Sequence, residues 1–153
     1  MKARRFKETP RDNASKGHLI VFNILKEMFP LHEVYQEYPY SKILEIGYKD
    51  DNVPEEVQDS RLLKLSRRLH ADIYDATIRT IFEIQGEQHF SPVIRDKKES
   101  LGTTMIRFSS QQGRDQLKRL IANEAKVKLL EISYKDLKNI NSDYIWNLIS
   151  KER

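Results

Sequence analysis

The 153-residue chain contains no cysteine. That excludes a disulfide framework, a thiolate zinc site and a cysteine nucleophile, and it fits a reducing interior such as a cytoplasm. No apolar run approaches the roughly 20 residues that cross a bilayer, so no membrane association is expected. The opening stretch MKARRFKETPRDNASK is basic but has no apolar segment behind it, so no secretory signal is expected either. There is no Gly-rich phosphate loop, which argues against an NTPase. Internal repeats and low-complexity tracts are also lacking. Six Phe, seven Tyr and one Trp stand against disorder, and the length fits one domain with a core of its own.

The positive charge is concentrated at one end. Lys2, Arg4, Arg5, Lys7, Arg11 and Lys16 face only Glu8 and Asp12. The other 137 residues carry 21 charges of each sign. We therefore read residues 1–14 as a basic arm and 15–153 as a single folded domain. Such an arm suits a polyanion, most simply nucleic acid, although a solvated terminus has the same composition.

Ser15 can cap a helix over residues 16–29, whose apolar positions Leu19, Ile20, Phe22, Leu25, Met28 and Phe29 recur at helical spacing before Pro30 ends it. Residues 32–40 are rich in β-formers and read as a strand, which 43–48 (ILEIGY) would extend or follow with another. Residues 61–70 fit helix or strand. From Leu69 the alternation is clear: Leu69, Ala71 and Ile73 face one way, His70, Asp72 and Tyr74 the other. A short turn leads to a second strand at 79–85, with Phe82 and Ile84 on one face and Ile81, Glu83 and Gln85 on the other. The pair reads as an antiparallel hairpin. A helix over 110–124, a strand over 127–134 and a last helix over 143–150, packed through Ile145, Trp146, Leu148 and Ile149, complete the chain. The expected fold is α/β in the α+β sense: a central mixed β-sheet flanked by helices.

The chemistry centres on the hairpin. If the strands pair so that Asp72 lies opposite Glu83, two carboxylates and the Gln85 amide come within a few ångströms. Two such acids repel, and a hard divalent cation relieves the repulsion. Mg²⁺ is commonly held by one or two carboxylates plus a substrate phosphate. Acids on an exposed strand face are common, so spacing alone does not separate a metal site from a solvated surface.

The order of elements, with Asp72 on one strand and Glu83-x-Gln85 on the next, resembles the PD-(D/E)XK nuclease superfamily. FEIQGEQHFSP (82–92) is similar to the acid-strand, glycine, histidine segment of phage-type nucleases related to very short patch repair endonucleases, with Glu83, Gly86, Gln88 and His89 in matching places. SKGHLIVFNIL (15–25) resembles the opening helix of that group, and Arg114-Asp115 with Lys118 resembles its Arg-Asp helix. The likeness spans roughly residues 15–137. It implies a restriction-endonuclease-like core and a metal-dependent DNA endonuclease, using Mg²⁺ with Mn²⁺ expected to substitute. Asp72 and Glu83 would hold the metal, Gln85 would orient the water and His89 would move a proton. Arg114 and Lys118 would face phosphate, and Lys2, Arg4, Arg5, Lys7 and Arg11 would add backbone contacts. Specificity would come from recognition of a mismatch or branched structure, from a homodimer on a palindromic site, or from a separate targeting protein.

The chain also departs from that pattern. Gln85 stands where the superfamily has Lys, and it cannot take a proton. His18 stands where the opening helix often carries a metal-site Glu, for which Glu37 is a possible substitute. Asp115 and Lys118, three apart on a helix, could instead pair with each other. These departures leave a second expectation: a nuclease-like fold kept as a nucleic-acid-binding or assembly module without catalysis.

Overall fold

The computed structural model describes residues 16–86 and 100–151, without the side chains of 101–104 and 106–108. Helix α1 (Lys16–Met28) leads to strand β1 (Val34–Pro39), α2 (Tyr40–Asp50), α3 (Ser60–Ser66), the hairpin β2 (His70–Asp75) and β3 (Thr80–Gln85), α4 (Leu101–Ala125), β4 (Lys128–Ser133) and α5 (Ser142–Lys151). The four strands form one sheet in sequence order. β1, β2 and β3 pair antiparallel, and α4 crosses over to bring β4 parallel to β3. This is a mixed sheet flanked by helices, consistent with a restriction-endonuclease-like core.

Each face of the sheet buries its own apolar layer. Val21, Phe22 and Leu25 of α1 pack with Ile73, Phe82, Ile132 and Ile145 on one side. Tyr40, Ile43, Leu44 and Tyr48 of α2 pack with Ile81 and with Ile121 and Ala125 of α4 on the other. Truncating a fully buried ring such as Phe22 or Phe82 to Ala would cost about 3–5 kcal/mol.

Residues 43–48 are helical, not extended. Tyr40, Ile43, Leu44, Gly47 and Tyr48 are the buried residues of α2, and their spacing is that of one helix face. Pro39 occupies the cap position with extended backbone angles, so the helix starts directly where β1 stops. Gly47 is required by packing. A Cβ there would lie 2.9 Å from the Ala125 carbonyl oxygen, so its absence lets α2 close onto α4. The 61–70 stretch divides into α3, capped by Asp59 accepting from the Leu62 N–H at 2.9 Å, and the first residue of β2. α4 begins nine residues before the expected start. Trp146 is more than half exposed, and α5 packs instead through Ile145, Tyr144, Leu148 and Ile149.

The hairpin turn is held by Asp75, which is fully buried. Its Oδ1 accepts from the N–H groups of Thr77 and Ile78, and its Oδ2 accepts from His32 Nδ1 at 2.7 Å. His32 also stacks on Phe29, so its role is structural.

The sheet departs from simple alternation at one level. Ala71 packs with the α2/α4 layer and Ile73 with the α1/α5 layer, so they do not share a face. In β1, Tyr35 and Tyr38, three residues apart, both pack on the α2/α4 side. Both strands therefore switch face at the same level. Between the pairs Gln36–Ile73 and Tyr38–Ala71 stand Glu37 and Asp72, and Glu37 has a φ of 52°. A left-handed residue inside a strand breaks the pleat there.

Candidate active site

Asp72 stands at that fault, and the hairpin ladder runs only from Asp75–Thr80 to Ile73–Phe82. Continued by one pair, the register sets Asp72 opposite Glu83. There, side chains take over from the main chain. The Asp72 N–H donates to Glu83 Oε2 at 2.7 Å, and the Ile84 N–H donates to Asp72 Oδ2 at 2.9 Å. The two acids are thus brought together on neighbouring strands. They line one cleft of 580 Å³ with Lys16, Gly17 and His18 of α1, Ile84, Gly86, Gln111, Arg114 and Lys118 of α4, Tyr134 and Leu137. Gly17 lets the first turn of α1 approach β3. A Cβ on it would lie 3.0 Å from the Ile84 side chain.

Each acid has a cationic or potentially cationic neighbour. Lys118 Nζ donates to Glu83 Oε1. The bonded partner of Lys118 is thus an acid on β3, and Asp115 on its own helix adds a longer-range charge. Asp115 is buried and accepts from Gln111 Nε2 at 3.0 Å, while Gln111 in turn accepts from Arg114. His18 Nε2 lies 3.4 Å from Asp72 Oδ2. Tyr40 lies below the site, with Lys118 Nζ 5.7 Å from its ring centroid. Its hydroxyl is fully buried and has no hydrogen-bond partner among the described residues.

The electrostatics separate the two carboxylates. Burial raises the Glu83 pKa, and the Asp72 charge raises it further. Lys118 offsets part of this, and the result is about 7. Burial also acts upward on Asp72. There the hydrogen bond and charge of His18, the Ile84 N–H and Lys118 outweigh it, so its pKa falls below the ordinary value. Lys118 is desolvated, which lowers its pKa. Its contact with Glu83 more than compensates, and its pKa is raised.

Gln85 is buried on β3, paired with Ser133 of β4, and is not among the residues lining the cleft. The cation that the strand lacks is supplied at Glu83 by Lys118 from α4. The resemblance implied that Lys118 faces phosphate, but nothing in the sequence revealed its bond to an acid 35 residues away. His18, read as a departure, sits at the site itself. Glu37 is level with Asp72 in the sheet but does not line the cleft. His89 and the arm cations Lys2, Arg4, Arg5, Lys7 and Arg11 lie outside the described residues.

The donor set fits a hard divalent cation. Two carboxylates converge at a cleft with room for waters and a phosphate group, and Mg²⁺ asks for little more from a protein. Asp72 Oδ1 accepts no bond from a described residue. No third His, Asp or Glu among the described residues joins them in a metal-binding group. No family model, no curated protein and no solved structure matches the chain.

Proposed function

We propose that the protein is a Mg²⁺-dependent endonuclease that hydrolyses phosphodiester bonds in DNA. The observation that carries this reading is the convergence of Asp72 and Glu83, held by two reciprocal main-chain bonds, with a lysine ammonium at the same point. Asp72 and Glu83 would hold the metal. The Ile84 carbonyl is a further candidate ligand, because in a strand it points to the same side as the N–H that bonds Asp72. Such an ion supplies charge to a phosphoryl oxygen and lowers the pKa of bound water.

The chain's own groups divide the remaining work. Lys118 stays protonated, because its contact with Glu83 raises its pKa. It therefore acts as a fixed positive charge against the oxyanion of the transition state and not as a base. Arg114 lines the cleft and would position the phosphate, consistent with its exposed guanidinium. A water oxygen would bond to phosphorus, the bond to one ester oxygen would break, and the leaving oxygen would be protonated. His89 remains our candidate for the proton transfer, whereas Gln85, buried and away from the cleft lining, is set aside as the group that orients water. The basic arm would add sequence-independent affinity.

A second reading is favoured by one observation: Lys118 and His18 already stand against the two acids. A site neutralised in this way would be a binding or assembly module. Incubation with supercoiled, linear and branched DNA in Mg²⁺, Mn²⁺ or EDTA separates the two. Cutting that needs metal and disappears in Glu83→Ala and Asp72→Asn supports the nuclease. Binding without cutting in any metal supports the module.

A further inference from the structure

Helix α3 has an inner and an outer face of opposite character. Leu62 and Leu63 pack into the α2/α4 layer, and Ser66 is buried with its hydroxyl on the Leu63 carbonyl. Arg61, Lys64, Arg67 and Arg68 are all exposed, with a half-exposed Leu65 among them. A groove of 410 Å³ is lined by Lys64, Leu65, Arg67 and Arg68. No described acid forms an ion pair with any of the four cations. Glu55, Glu56 and Asp59 precede the helix, with Asp59 used as its cap, and Asp72, four residues past Arg68, is engaged by the Ile84 N–H and His18.

The fold gains little from this arrangement. Cations at a helix C-terminus favour the dipole, which accounts for Arg67 and Arg68, but Arg61 lies in the first turn, where a cation is unfavourable. Arg61 and Lys64 stand three residues apart on the helix and repel each other, and Arg67 and Arg68 add like charge just past its end. An external polyanion would relieve both penalties.

The position of the patch points to the ligand. Arg68 is four residues from Asp72, a reach of no more than about 14 Å. That is about four steps along a nucleic-acid strand at 3.4 Å per step. Between them, the Leu69 carbonyl accepts from the Tyr40 N–H at 2.9 Å, and the Tyr40 ring lies against Lys118. The residue after Arg68 is thus bonded to Tyr40, whose ring lies next to Lys118, one of the cleft residues. A single exposed leucine offers no apolar face for a lipid surface.

We propose that Arg61, Lys64, Arg67 and Arg68 form a phosphate-binding track that receives the nucleic-acid backbone a few nucleotides from the bond at Asp72 and Glu83. This rests on the phosphodiester-cleaving reading of the cleft. The track lies on the folded body, at and just past α3.

The test compares the full chain with the Arg61→Gln/Lys64→Gln/Arg67→Gln/Arg68→Gln variant. Binding of labelled duplex DNA and duplex RNA of one sequence is followed by anisotropy in EDTA over a range of salt. A Mn²⁺ titration of both proteins checks that the cleft is intact. The expected result is at least a tenfold loss of affinity and a log–log salt slope shallower by about 3.6 units if all four cations contact phosphate, at roughly 0.9 per contact. The duplex bound more tightly by the full chain identifies the natural backbone. An unchanged slope overturns the track, as does a full chain that binds neither duplex. So does a variant that loses only anionic phosphatidylserine vesicles. If binding falls as expected but the full chain cuts nothing in any metal, the track stands and the nuclease reading fails. If cutting is metal-dependent but the slope is unchanged, the nuclease reading stands and the track fails.

Discussion

The main-chain N–H of Asp72 donates to the carboxylate of Glu83 at 2.7 Å, where a regular hairpin would have bonded strand to strand. Asp72 returns the link by accepting from the N–H of Ile84. Each acid is therefore fixed by the backbone that carries the other. This pair of acids is thus built into the sheet itself.

The raised pKa of Glu83 makes the stability of the metal-free protein depend on pH. In the unfolded chain this carboxyl loses its proton near 4.5, and in the folded chain near 7. Its contribution is complete below the first value and is lost as pH rises through the second. Asp72 has the opposite sign: its lowered pKa contributes stability above 3.8 that is lost in acid. Between about pH 5 and about pH 8 the Glu83 effect dominates. Wild type should lose stability relative to Glu83→Gln over that interval, measured as urea midpoints in EDTA. A constant difference would rule out the assigned environment.

Lys118 neutralises a carboxylate that is almost completely buried. Lys118→Met should destabilise the protein by about 3–5 kcal/mol at about pH 8, because it leaves that charge unpaired. Adding Glu83→Gln should recover most of the loss. A double-mutant cycle from denaturant unfolding measures the coupling. Independent, additive effects would show that the two groups do not interact.

Tyr40 carries a buried hydroxyl without a described partner. An unsatisfied buried donor costs about 1–3 kcal/mol, so Tyr40→Phe should raise the unfolding midpoint while keeping the ring against Lys118. A lowered midpoint would show that the hydroxyl has a partner in solution.

Gly47→Ala should destabilise the α2–α4 contact by about 1–3 kcal/mol, since the added methyl meets the Ala125 backbone at 2.9–3.1 Å. Gly113→Ala on α4 provides the control. Its Cβ would meet nothing within 4 Å, and alanine is the better helix former. Equal behaviour of the two variants would be incompatible with this packing.

Local patterns made the hairpin legible: period-two alternation placed both acids on paired strands before any contact was known. The same local view failed at ILEIGY. In a six-residue window that segment has β-forming composition, whereas Tyr40, Ile43, Leu44, Gly47 and Tyr48 together trace a helix face. The first half of α4 was obscured by the polar run around Gly102 and by the lack of a continuous apolar stripe. In the second half of α4 Leu120 is exposed, while its neighbour Ile121 is fully buried. The paired fault at Glu37 and Asp72 has no signature in either strand alone, because it arises from a backbone angle in β1 acting across the ladder. The Lys118–Glu83 bond and the place of His18 depend on how α4 and α1 meet the end of the sheet, which no spacing along the chain encodes.

The nuclease reading requires that Asp72 and Glu83 together form one divalent-cation site. Calorimetric titration of the full chain with Mn²⁺, beside Asp72→Asn and Glu83→Gln, probes that requirement without any nucleic acid. The wild type should bind one ion per chain saturably. Each variant should lose that binding while circular dichroism shows the fold retained. A wild type that takes up no ion, or variants that bind as tightly as the wild type, would mean that the two acids do not share a metal.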